Sequence, residues 1–133
     1  MKKVAVVGYA QHKILPNAGA LNEVELIMPV VHKVFNDLGI SQDDIGFTCS
    51  GSCDYLQGAA FAFVEGLSAI QTSPPIKESH VEMDAAWALY ESMLKIKMGD
   101  ADTALIYGFG KSSPGNLDSC LLYTSPSPRD VEE

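Results

Sequence analysis

In the stretch ESHVEMDAAWALYE, residues 78 to 91, the titratable groups His80, Glu82 and Asp84 stand where a short strand-like segment runs straight into a helical one. A strand leading into a helix sets Glu82 and Asp84 near the helix N-terminus, where unpaired amide donors and the positive end of the dipole stabilise negative charge. Neighbouring carboxylates there can supply a general base, with His80 as the third candidate for the same work. Asp84 is also well suited to cap the helix. That account does not serve Glu82.

Cys49 and Cys53 stand four apart among Ser50, Gly51, Ser52 and Asp54. A metal site would want a second ligand pair, and His12, His32 and His80 are scattered and unpaired. No metal is therefore expected, and the two thiols read as small buried or half-buried residues of a strand and turn. A displaced nucleophile is the alternative. GFGKSS, residues 108 to 113, resembles a phosphate loop, but the Walker spacing needs a glycine at position 105, which is Leu105. Pro114 and Gly115 also interrupt any following helix, so a nucleotide site is not expected. Gly8 is isolated and marks a strand exit rather than a dinucleotide fingerprint.

The elements that must position these groups follow from periodicity. Val4 to Val7 form a continuous apolar run, which predicts a first strand buried on both faces of a parallel sheet. Asn22 with Glu25 three residues on is a capping-box pattern. Leu26, Val30, Val31, Val34, Phe35 and Leu38 then recur at helical spacing up to Gly39, a C-cap residue. Pro29 interrupts that pattern and predicts a kink or a delayed start. DDIGFTCSGS predicts a second strand, and YLQGAAFAFVEGLSAI a helix weakened by Gly58 and Gly66 and ended by Pro74 and Pro75. SHVEM predicts a third strand, DAAWALYESMLKIKM a helix capped by Asp84 and stopped at Gly99, and TALIYGFG a fourth strand. Alternating strands and helices predict an α/β fold with a mostly parallel sheet.

The chain has 133 residues, 47% of them hydrophobic, and a formal charge of −8. That length accommodates one core. The charge argues against nucleic acid or an anionic membrane surface as a partner, since phosphate binding needs clustered Lys and Arg. Gly8, Gln11 and His12 end the first apolar run too early for a signal peptide or a membrane span. A cytoplasmic protein is expected. Cys49, Cys53 and Cys120 are an odd number without a secretory signal, so no disulfide framework is expected.

Residues 2 to 119 resemble the N-terminal half of the thiolase superfamily, in particular its sterol-carrier or lipid-transfer-protein type. The resemblance rests on VAVVGYAQHK, on LGISQDDIGFTCSGSCDY and above all on HVEMDAAWALYESMLKIKMGDADTALIYGFGKSS. Ala88-Leu89, Gly99, Ala101-Asp102 and the segment from Thr103 to Gly108 match the family pattern without gaps. Counted back from Gly99, the family's nucleophilic cysteine falls on Glu82. A carboxylate is a poor substitute for that thiolate.

The resemblance therefore implies a truncated thiolase-like α/β half with helices on both faces of the sheet. It also implies a parent enzyme of lipid or steroid side-chain breakdown that takes a coenzyme A thioester as substrate, with no bound cofactor. Without the cysteine, retro-aldol cleavage of a carbon–carbon bond is expected rather than thiolysis. A homo- or hetero-oligomer of the full-length protein is implied, including one with a small OB-fold partner. The alternatives are a non-catalytic acyl-CoA-binding or scaffold subunit, and an acetyltransferase-type thiolase with a displaced nucleophile. This chain alone, as part of one half, is expected to be inactive.

CLLYTSPSPRD, residues 120 to 130, loses every periodicity. Its back-translation matches a transposase mosaic-end adapter of sequencing libraries, so residues 120 to 133 are expected to be translated adapter and residues 1 to 119 the partial thiolase-like domain.

Overall fold

The computed structural model describes residues 3–58, 60–72 and 76–111. Pro74, Pro75 and the stretch from residue 112 onward, with the adapter-like tail, lie outside the described residues.

The elements follow in the order α1 (Glu23–Leu38), a 3-10 turn (Gln42–Asp44), β1 (Phe47–Ser52), α2 (Asp54–Gln57), α3 (Phe63–Ala69), β2 (Glu78–Glu82), α4 (Ala85–Met98) and β3 (Ala104–Gly108). The strands form an all-parallel sheet in the order β2-β1-β3. The fold class is α/β, as the alternation of periods predicts.

Side chains alternate between the two faces of the sheet and build a core on each. On one face Phe47 and Cys49 of β1, with Val81 of β2 and Ala104 and Ile106 of β3, pack against Ala88 of α4. On the other, Leu105 and Tyr107 of β3 pack against Ile27 and Val31 of α1 and against Ala69 and Ile70 at the end of α3. Helices therefore cover both faces. Thr103 clamps the starting ends of β1 and β3: its hydroxyl donates to the Asp44 carbonyl at 2.6 Å and accepts from the Gly46 amide at 2.8 Å.

The cap residues act as their types require. Asn22 and Glu25 exchange reciprocal hydrogen bonds of 2.8 Å at the start of α1, and Gly39 closes that helix in the left-handed region with φ of 66°. The helix runs through Pro29. Asp84 Oδ1 accepts from the amides of Ala86 at 2.9 Å and Trp87 at 3.2 Å, and Gly99 stops α4. Asp84→Ala should remove about 1 kcal/mol of stability, the usual cost of a lost N-cap, whereas Asp84→Asn should lose only a few tenths. Urea titrations of the three proteins check both figures.

Two expectations need correction. Val4 to Val7 do not form a strand, and Val6 and Val7 are 74% and 77% exposed. A strand exists by virtue of its ladder, and no described residue pairs with this segment; instead Gly8 lies against Val34 and Leu38 of α1. The predicted helix from Tyr55 to Ile70 is two helices. Gly58 caps α2 in the left-handed region with φ of 70°, which breaks the helix where its backbone freedom makes that inexpensive.

The faces of α4 are unusual. Small residues, Ala85, Ala88 and Ser92, meet the sheet, while Trp87, Tyr90, Leu94 and Met98 on the outward side are exposed. Trp87, Tyr90, Leu94 and Met98 recur at helical spacing and so form one apolar stripe on the solvent side.

Candidate functional site

The parallel register brings together residues that are far apart in sequence. Ser50, in the middle of β1, pairs with His80 of β2 on one side and with Tyr107 of β3 on the other; one step further, Ser52 pairs with Glu82. Residues two apart on a strand share a face, so Ser50, Ser52, His80 and Glu82 all lie on the side covered by α3. Ser52 and Glu82 end their strands, and ligands of open parallel sheets bind outside the carboxyl ends of the strands.

Hydrogen bonds link the cluster into a chain. Ser50 Oγ lies 3.1 Å from His80 Nδ1, and His80 Nε2 lies 3.2 Å from Glu82 Oε2. The other carboxylate oxygen, Glu82 Oε1, accepts from the Asp54 amide at 2.6 Å. Burial falls along the chain. Ser50 is 3% exposed, the His80 side chain 15% and the Glu82 side chain 51%. Phe63 of α3 covers the imidazole, the two rings nearly parallel with centroids 4.5 Å apart.

Asp54 ties the covering segment to this chain. Its carboxylate accepts from the amides of Phe61 at 2.6 Å and Ala62 at 3.0 Å, holding Phe61 in the left-handed region with φ of 59° and setting the start of α3. Glu82 is thus fixed by a backbone amide and an imidazole while one side stays open to solvent. A fixed, half-exposed carboxylate beside a histidine can take up a proton from a bound hydroxyl.

Of the three sequence candidates, the structure brings His80 and Glu82 together. Asp84 lies two residues beyond Glu82 with its side chain committed to the amides of α4. Ser50, Asp54 and Phe63 were not legible as site residues. The available signal was the alternation of small polar residues, Thr48, Ser50 and Ser52, along a strand that is buried throughout.

Cys49 is fully buried on the opposite face, against α4. Burial above all, and then the Glu91 carboxylate, push its thiol up to about 11, which leaves on the order of one thiolate in ten thousand at pH 7. Iodoacetamide at pH 8 should therefore modify the partly exposed Cys53 while Cys49 reacts only after unfolding. Peptide mass spectrometry of the native and denatured protein reads the two sites separately.

Two depressions of about 350 Å³ lie elsewhere, one beside His32 and Phe35 and one beside Phe47 and Lys77, and neither includes Glu82. Among the described residues no group of three or more His, Cys, Asp and Glu side chains is placed to hold a metal ion. No described helix is long and apolar enough to cross a membrane. Comparison with protein-family models, with curated proteins and with solved structures returned no match.

Proposed function

We propose that this chain is the N-terminal part of a thiolase-fold enzyme that cleaves a carbon–carbon bond in a β-hydroxyacyl coenzyme A thioester, with Glu82 as the general base. The observation that carries the reading is the setting of Glu82. It ends a parallel strand, half exposed, with one carboxylate oxygen on the Asp54 amide and the other on His80.

Retro-aldol cleavage needs no covalent intermediate. The carboxylate takes the β-hydroxyl proton, the freed electron pair closes the carbonyl, and the bond between the α and β carbons breaks. Its electrons pass to the α carbon and the thioester oxygen as an enolate, which collects a proton to give the shortened acyl thioester. The scheme asks for a general base and for donors to the enolate oxygen, and Glu82 answers the first of these. The cysteine-dependent scheme finds less support at Cys49, which is buried and held protonated.

The exposed stripe of Trp87, Tyr90, Leu94 and Met98 on α4 supports the further part of the reading, that a second α/β half covers this helix in the full-length protein. The first test is the source DNA, sequenced from upstream of the Met1 codon to well past that of Ser119. A frame that continues into a second α/β half provides the full-length enzyme for assay. Release of an aldehyde or ketone from a β-hydroxyacyl-CoA is the expected activity. Tight thioester binding without turnover would instead establish a scaffold subunit, and a genomic stop codon after Glu133 would remove the truncated-enzyme reading.

A further inference from the structure

Ser50, His80 and Glu82 have the composition of a nucleophile, base and carboxylate triad, yet burial runs the wrong way for acyl transfer. The serine is 3% exposed beneath α3, whereas the carboxylate is the solvent end. At 3% exposure the Ser50 hydroxyl is closed to an acyl carbon from solvent. The hydroxyl therefore works toward the surface, through the ring, and not on a substrate of its own.

The proton positions follow from what each group can offer. An ionised carboxylate only accepts, so the contact between Glu82 Oε2 and His80 requires the ring hydrogen on Nε2. In neutral imidazole the other nitrogen, Nδ1, is then an acceptor, and the group within reach to donate to it is the Ser50 hydroxyl at 3.1 Å. We propose that Ser50 is a positioning residue whose buried hydroxyl donates to His80 Nδ1, holding the ring as the Nε2–H form with that hydrogen aimed at Glu82. Its role in catalysis rests on the reading of Glu82 as the base; the proton arrangement itself does not.

The arrangement has a second consequence. If His80 takes up a proton, it does so on Nδ1, and the Ser50 hydroxyl has only to rotate from donor to acceptor for every hydrogen bond in the chain to survive. Phe63 holds the ring plane while this happens. Such an outer partner, which sets the tautomer and orientation of a histidine, is the same device that steadies histidines in metal and catalytic sites.

The test uses 15N-histidine-labelled protein of the full chain and long-range 1H–15N imidazole spectra recorded alkaline of the histidine titration. His80→Gln identifies the resonances. The expected wild-type result is a single tautomer for His80 with hydrogen on Nε2, and Nδ1 shifted toward the hydrogen-bonded acceptor position relative to a free imidazole nitrogen. In Ser50→Ala the Nδ1 resonance should move to the free-acceptor position while Nε2 keeps its hydrogen and the far-UV circular dichroism is unchanged.

A His80 tautomer with hydrogen on Nδ1, a fast mixture of the two tautomers, or an unchanged Nδ1 resonance in Ser50→Ala would overturn the proposal. Covalent labelling of Ser50 by a fluorophosphonate would do so as well, by making it a nucleophile. If Ser50→Ala does not fold, the wild-type tautomer and Nδ1 position still decide. Spectra as expected, combined with full turnover by a Glu82→Gln enzyme, would leave the positioning role standing and remove the retro-aldol reading.

Discussion

Gly51→Ala should cost about 3 kcal/mol, the upper end of what overpacking usually takes from a fold. An alanine Cβ at this position would lie 2.3 Å from both the carbonyl carbon and oxygen of Asp84 and 2.7 Å from the Ala85 nitrogen. All three are backbone atoms at the start of α4, so no rotamer change relieves the contact. The helix must lift off the sheet as a body, loosening its seat on Phe47 and Cys49. Since a domain of this size has about 5 to 15 kcal/mol in hand, Gly51→Ala should lower the urea midpoint steeply or abolish the cooperative transition. An unchanged midpoint would mean that α4 does not sit where the structure puts it.

Gly108→Ala separates backbone crowding from side-chain crowding. Its Cβ would meet the Ala85 Cβ at 2.6 Å, with the Ala85 nitrogen and Cα no closer than 3.2 Å. Ala85→Gly should therefore restore part of the stability lost in Gly108→Ala and none of that lost in Gly51→Ala. The two glycine substitutions press on the same helical turn, so their combined cost should fall short of the sum.

The parts of this fold that were legible in the sequence are those fixed by contacts within a few residues. Asn22 and Glu25, Gly39, Asp84 and Gly99 act on their own neighbours, and each caps the helix that its type and position announce. Strands β1 and β2, FTCSGS and ESHVE, were legible as short segments between turn residues and helical patterns, and β3 as a short apolar run between turn residues. The segment from Val4 to Val7 has the same appearance and is not in the sheet, because pairing depends on a partner that no local pattern reveals.

The same limit applies to the site. Glu82 and His80 stood out as titratable groups beside a helix start, but Ser50 becomes their partner only through the register of β1 on β2. The Asp54 amide reaches Glu82 because β1 and β2 end side by side in register, and Phe61 reaches the Asp54 carboxylate because the chain turns at Gly58. Asp84, legible as a cap, located the start of α4, and that start is what puts Glu82 at a strand end.

Glu82→Gln in the full-length enzyme should lower kcat by about 100- to 10,000-fold, the span usually contributed by a positioned general base, with little change in KM. The substitution keeps the shape and length of the side chain and removes its capacity to hold a proton. The amide oxygen can still accept from the Asp54 amide, which approaches Oε1 at 2.6 Å, while the amide nitrogen turns toward His80, where the carboxylate accepted. Losing one good hydrogen bond at a half-exposed position costs about 1 kcal/mol at most, so the protein should remain folded and continue to bind the thioester. Stability and chemistry are thereby uncoupled. Asp84→Asn provides the control: its oxygen still caps α4, and since the Asp84 carboxylate is spent on the Ala86 and Trp87 amides, turnover should stay within a few-fold of wild type. If Asp84→Asn abolished turnover while Glu82→Gln did not, the base would be Asp84, and the hydrogen-bonded chain from Ser50 to Glu82 would be a structural feature of the sheet edge.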